Sequence, residues 1–247
     1  MKHFLNWQVV FGIILVALSG MVYFIHYLIF RDARHIFIYL IGDIAFVFIE
    51  VLLVTLVLHE LLVYREKKSM LKKLNMVIGA FFSEVGTELM THFIAFDSRA
   101  AEIAKHLVVK KDWPGKEFIR MRNRVASHSA DVYCRKGDIA GLKDFLIKKR
   151  GFLLMLLENP NLLEHESFTN LLWATFHLTE ELASRKNLKS LSDTDAEHLD
   201  NDIKRTYKLL VSEWLAYMGH LKADYPYLFS LAMRTNPFDP DASVEVR

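Results

Sequence analysis

Two stretches decide the fold: VVFGIILVALSGMVYFIHYLIF, Val9 to Phe30, and IFIYLIGDIAFVFIEVLLVTLVL, Ile36 to Leu58. The first holds 22 residues without a formal charge. At about 1.5 Å of rise per residue, such a helix spans the roughly 30 Å hydrocarbon core of a bilayer. The second has similar length and follows a polar link, Arg31-Asp-Ala-Arg-His35, so residues 1–63 are expected to form a transmembrane helical hairpin. A cleavable signal peptide is the competing reading, since Lys2 and His3 give a basic start and Ala17-Leu-Ser19 supplies small residues at cleavage spacing. The apolar run continues to Phe30, farther than a signal core needs, which favours the span.

Charge sets the direction. The link carries Arg31 and Arg34, whereas Arg65, Lys67, Lys68, Lys72 and Lys73 crowd the exit of the second helix. Positive residues stay inside, so both termini are expected on the cytoplasmic side, with the bilayer as the first partner. Trp7 at one end and Tyr23, Tyr27 and Tyr39 at the other are placed as interfacial anchors. A single cysteine, Cys134, fits a reducing compartment.

Composition narrows the rest. Of 247 residues 52% are hydrophobic, with 5 prolines, 10 glycines and 1 cysteine, which excludes a disordered, collagen-like or disulfide-framework chain. Only three of 31 basic residues (Lys2, Arg31, Arg34) and four of 29 acidic ones (Asp32, Asp43, Glu50, Glu60) fall within 1–63. Beyond that point the signs are interspersed around a net charge of +2, so no nucleic-acid partner is expected.

Three polar residues lie inside the spans: His26, Asp43 and Glu50. A carboxylate at mid-bilayer costs roughly 2.5–3.5 kcal/mol on insertion scales, so each needs a partner, a proton or water. Asp43 and Glu50 are seven residues apart and share a helix face. Counted from the ends of the two stretches, His26 and Asp43 lie about 6 Å and about 10 Å deep, which suggests a pair across the hairpin. Helix glue is the plainer role for both carboxylates; an ion or proton path is the functional one.

After the spans the pattern is helical throughout. Leu71, Leu74, Ile78, Phe81 and Val85 recur at spacings of 3 and 4, predicting an amphipathic stalk or interfacial helix over 64–95. A cytoplasmic helical bundle is expected over 96–234. Its helices run over about 97–110, 116–129 after Pro114, 139–157 after Gly137-Asp138, 161–184, 194–223 after a polar loop 186–193 with Ser192 and Asp193 as caps, and 226–233. Leu199, Ile203, Tyr207, Leu210, Trp214, Tyr217 and Leu221 form the core stripe of the longest. Residues 235–247, with Pro237 and Pro240, are expected as an extended tail. The stalk and the apolar 145–157 face are candidate contacts for a homo-oligomer.

Motifs for chemistry are sparse. His59-Glu60 begins like a zinc-protease motif, but the residue four after His59 is Val63. Gly137-Asp-Ile-Ala-Gly141-Leu-Lys143 has the wrong spacing for a P-loop, and no dinucleotide fingerprint occurs, so no cofactor is expected. Histidine and carboxylate do cluster: Glu164-His165-Glu166, His177 with Glu180, Asp195 with His198, and Glu213 with His220. Helical metal sites use such residues one turn apart on facing helices, which makes His177, Glu180 and His198 metal candidates, although the usual Glu-x-x-His order is missing.

Two resemblances bear on function. Residues 74–89, 168–182 and 225–238 (LNMVIGAFFSEVGTEL, FTNLLWATFHLTEEL and YPYLFSLAMRTNPF) resemble uncharacterised bacterial two-span membrane proteins with a cytoplasmic helical domain. That likeness implies a bacterial cytoplasmic (inner) membrane and no assigned chemistry. Separately, Arg122-Asn-Arg-Val-Ala-Ser-His128 resembles the Arg-Asn…His signature of HEPN-type ribonucleases, which implies His128 as general acid or base and Arg122 as a stabiliser of phosphate charge. A basic amphipathic helix exposing Arg120, Arg122 and Arg124 explains the same residues. The resulting expectation is an all-α, membrane-anchored, non-enzymatic scaffold, interaction or sensor protein with a cytoplasmic protein partner. A homo-oligomeric cation or proton channel lined by Asp43 and Glu50, and a membrane-anchored ribonuclease, are the alternatives.

Overall fold

The computed structural model describes residues 2–160, 162 and 165–245, without the side chains of 2–6, 8, 71 and 72. Glu164, named above, and the last two residues of the expected tail lie outside the described residues, as do the side chains of Lys2, His3, Leu71 and Lys72. The chain is all-α: α1 (Lys2–Phe30), α2 (Ala33–Phe81), a π-helical turn (Phe82–Gly86), α3 (Thr87–Phe96), α4 (Ala100–Leu107), α5 (Gly115–Ser127), α6 (Ile139–Leu157), α7 (Glu166–Ser184), α8 (Asp193–Asp224) and α9 (Pro226–Arg234). Extended pairing among the described residues is confined to one antiparallel bridge between Asp97 and Val132. The chain divides into two compact units, Met1–Lys67 and Lys68–Arg247.

In the first unit, two helices are long and apolar enough to cross a membrane, and the apolar windows that qualify them are wholly unburied. The link is shorter than five residues because Asp32 caps α2, its Oδ1 accepting from the Arg34 and His35 amides at 2.9 and 3.3 Å. Arg31 closes α1 in the left-handed region, at φ 51°, with its N–H donating to the Tyr27 carbonyl at 2.8 Å. Starting α2 at Ala33 moves Asp43 to about 15 Å from the link end of its helix, against about 6 Å for His26 from the link end of α1. The expected His26–Asp43 pair is therefore corrected: the His26 ring lies 5.9 Å from His35 and 4.7 Å from Phe30, and its Nε2 has no hydrogen-bond partner.

The second unit is organised by α8, which packs against α3, α5, α7 and α9 and the π-helical turn. That central position explains why α8 buries more than the expected stripe: Ala196, Thr206, Val211, Leu215 and Met218 are also buried, while Tyr217 is only half-buried. Caps match local sequence. Asp138 accepts from Gly141 N at 2.9 Å at the start of α6, and Ser192 accepts from Asp195 N at 3.2 Å at the start of α8.

Three sequence expectations change in this unit. Residues 74–95 are core and not a free stalk: Leu74, Ile78, Phe81, Val85 and Leu89 are all buried, and Phe81 meets Phe168 of α7 edge-on at 5.3 Å. Their apolar stripe is consumed inside one chain. The 145–157 face is likewise covered, since α6 packs on α7 and buries Phe145, Leu146, Leu153 and Leu156. The tail also begins as core. Asn236 is fully buried and donates to the Leu107 carbonyl at 2.8 Å, and Phe238 packs on Trp214.

The π-helical turn has a local cause. Thr87 Oγ1 donates to the Phe82 carbonyl five residues back at 2.9 Å. A side chain at Gly86 would place Cβ 2.5 Å from the Phe82 ring, so the widened turn needs glycine there.

Candidate functional site

α7 and α8 form an antiparallel pair joined by a short polar loop, and their facing side chains make a ladder: Arg185 with Asp195, Glu181 with His198, His177 with Asp202. Each helix contributes a histidine and a carboxylate one turn on, His177 with Glu181 and His198 with Asp202. Spacing of four residues stacks them on one face. Both pairs flank the buried stripes, beside Leu178 and Leu182 on α7 and beside Leu199, Ile203 and Thr206 on α8.

The geometry converges on Asp202. Its side chain is only 7% exposed, and Oδ2 lies 3.3 Å from His177 Nε2 and 3.4 Å from His198 Nε2. Oδ2 nevertheless has no hydrogen-bond partner, because neither imidazole N–H is aligned with it. Oδ1 accepts from Arg205 at 2.8 Å. Glu181 closes the group from the other side, with Oε2 3.6 Å from His198 Nε2 and Oε1 3.9 Å from His177 Nε2.

Arg185 fixes the acidic side chains. It donates to Glu181 Oε2 at 2.7 Å and to both oxygens of Asp195 at 2.7–3.2 Å. Those charge-assisted bonds hold the Glu181 and Asp195 carboxyls below the usual carboxylate range and raise the Arg185 guanidinium. One ligand atom from each of His177, His198 and Asp202 lies within 4.8 Å of the other two, close enough together for the three to reach one metal ion. An open groove of about 740 Å³ adjoins it, lined by Trp173, His177, Arg205 and Lys208 among others.

Of the residues singled out by sequence, His177 and His198 are thus brought together. Glu180 is not: it binds Arg150 at 2.6 Å on another face, and its neighbour Glu181 takes the place. Glu181 and Asp202 lie four residues after His177 and His198, where the sequence reading paired each histidine with a carboxylate three residues away; the His-x3-carboxylate repeat on two successive helices was the available signal. The remaining pairs separate. His165 Nδ1 caps α7 by accepting from Phe168 N at 3.2 Å, and His220 Nδ1 pairs with Asp224 at 2.9 Å while Glu213 is buried elsewhere on α8.

His128 and Arg122 have different neighbours. Arg122 Nε donates to Ser212 of α8 at 3.3 Å, and His128 Nε2 lies 3.8 Å from Asp97 Oδ2. Asp97 is a structural anchor, its Oδ1 accepting from the Arg99 and Asp131 amides at 3.0 Å each. Asp97 Oδ2, His128 Nε2 and the Tyr207 hydroxyl are all buried without hydrogen-bond partners, and His128 and Tyr207 line an internal void of about 10 Å³. That volume is close to one water. Burial, with Asp97 nearby, raises the Tyr207 phenol.

Comparison with known proteins places both units. Residues 2–62 match the model of the N-terminal helical domain of MJ1433, and residues 70–234 match that of the C-terminal helical domain of the uncharacterized protein MJ1433. The chain is similar to Uncharacterized protein MJ1433 of Methanocaldococcus jannaschii, 46% identical over 234 residues that cover 95% of this chain and 94% of the relative. That relative is archaeal, whereas the resemblance read from sequence pointed to bacteria. No solved structure matches. With the two domain models matched in order and a relative covered nearly end to end, this chain belongs to the MJ1433 family of helical proteins.

Proposed function

We propose that the chain is a two-span, membrane-anchored protein of the cytoplasmic membrane, non-enzymatic, that presents its helical unit to the cytoplasm as an interaction or sensor module. One observation carries this reading: from Val9 to Phe30 of α1 and from Phe37 to Tyr64 of α2 most of the large apolar side chains are exposed, Val16 and Phe48 by 74% and 76%. Apolar surface of that extent needs lipid or protein to cover it. Basic residues support the direction, since Arg65, Lys67, Lys68 and Lys73 follow the second apolar stretch while only Arg31 and Arg34 lie at the link.

Alkaline carbonate extraction of cells expressing the full chain tests the anchor, and labelling tests the direction. An Ala33→Cys variant in intact cells reacts with an impermeant maleimide if the link faces outward. Release into the soluble fraction, or labelling only after lysis, overturns the anchor or the direction respectively.

A second reading, a homo-oligomeric cation or proton path, draws on a separate observation. Asp43 and Glu50 are exposed on α2 and have no ion-pair or hydrogen-bond partner among the described residues. Inside a bilayer such groups need water, a proton or a second copy. Two helices enclose no pore, so a monomer in detergent eliminates this reading and a ring of four or more copies favours it.

A further inference from the structure

We propose that His177, His198, Asp202 and Glu181 form a binding site for one divalent transition-metal ion of the zinc class, clamping α7 to α8. The proposal is independent of the membrane reading. Zinc holds four donors tetrahedrally at about 2.0–2.1 Å, which sets the donor-to-donor edge at roughly 3.3 Å. Asp202 Oδ2 stands 3.3 Å from His177 Nε2 and 3.4 Å from His198 Nε2, two edges of that tetrahedron already formed. Glu181, 3.6 Å from His198 Nε2, stands outside that group of three mutually close donors and reaches the fourth corner only by rotation of its own side chain.

A second, separate observation points to a ligand. Asp202 is more than nine-tenths buried, and its Oδ2 faces the two imidazoles with no hydrogen bond. Leaving a buried carboxylate oxygen unpaired is costly, and a cation among the three atoms removes the cost. Hydrogen bonds from the histidines alone do not do so, because their N–H groups are misaligned at these distances.

The outer shell is built as metal sites require. Arg205 grips Asp202 Oδ1 and leaves Oδ2 free; Arg185 grips Glu181 and keeps it ionised. Two carboxylates and two neutral imidazoles against an ion of charge +2 give a balanced site, and this donor set suits zinc over the oxygen-only demands of calcium or magnesium. His177 and His198 are 45% and 52% exposed, and His177 and Arg205 border the open groove, so the ion has an entry path.

The test uses the purified full chain in detergent, stripped with chelator and titrated with Co2+ as a spectroscopic probe, then with Zn2+ as competitor. Expected are one Co2+ per chain, the visible absorption of a tetrahedral Co2+ centre, its displacement by Zn2+, and a higher Tm with Zn2+ bound. His177→Ala and His198→Ala alter half-exposed side chains that the core does not need. Each should abolish the visible band and weaken binding by more than the roughly 10–100-fold expected for Arg205→Ala, which removes only an outer-shell contact. Glu180→Gln, on the Arg150 face, should bind as the wild type does. Circular dichroism checks that each variant keeps its helix content. The proposal is overturned if the wild type binds no stoichiometric Co2+, or if His198→Ala binds as tightly as wild type.

Discussion

Asp97 is the residue on which a single substitution tests most of the tertiary reasoning in the helical unit. Its side chain is fully buried, and Oδ1 receives the Arg99 and Asp131 amides at 3.0 Å each, tying the start of α4 to the crossing segment at 131–132. A hydrogen bond to a charged group contributes roughly 1.5–3 kcal/mol. Asp97→Ala removes two of them and strands two amides, so the local cost is about 3 kcal/mol at the low end, or roughly 100-fold in the opening equilibrium. Asp97→Asn keeps an acceptor at Oδ1 and replaces the unpaired Oδ2 by an amide donor 3.8 Å from His128 Nε2, within a shift of making a bond. Removing a buried charge offsets the weaker neutral bonds, so this variant should stay within about 1 kcal/mol of wild type. Hydrogen exchange of the full chain in detergent, followed in peptides covering 97–102 and 129–134, separates the cases. Exchange in Asp97→Ala should accelerate by about two orders of magnitude, with little change in Asp97→Asn. Exchange in Asp97→Ala within a few-fold of wild type would refute the anchoring role.

Further outcomes follow from other parts of the structure. Phe81→Ala, at a fully buried position, should destabilise the helical unit by about 3–5 kcal/mol, whereas Met76→Ala, 68% exposed, should stay within about 0.5 kcal/mol; equal effects in thermal unfolding would mean that this segment is a stalk after all. Burial and the neighbouring Asp200 push the Cys134 thiol up to about 12, so iodoacetamide at pH 8 should leave it unmodified until the protein is unfolded. Acid should loosen the α7–α8 pair. Glu181 and Asp195 are held below the ordinary carboxylate values of about 4.3 and 3.9, so their contribution is complete above those values and is lost as the pH falls through the lowered ones. Unfolding at pH 3 and pH 6 should differ more in wild type than in Arg185→Met; identical differences would dismiss the Arg185 contacts.

Much of the architecture was legible from periodicity because helices are local objects. Pro114, Asp138 and Ser192 announce the starts of α5, α6 and α8 by chemistry that acts within one turn. The candidate site was half legible. His177 and His198 stood out as residue types, but the choice between Glu180 and Glu181 depends on which face of α7 meets α8, a matter of packing. Asp202 was not legible, because a carboxylate in a helical stripe reads as solvent-facing until a neighbouring helix covers it.

By itself the sequence determined the helical class, the two apolar stretches and the charge asymmetry around them, since hydrophobic run length and cap chemistry need no knowledge of neighbours. Only the tertiary structure decided that residues 74–96 and Asn236 to Phe238 belong to the core, and that two histidines and two carboxylates meet. Burial is a property of what packs on a residue from elsewhere in the chain, and the central placement of α8 settles it for the inner faces of α3, α5, α7 and α9.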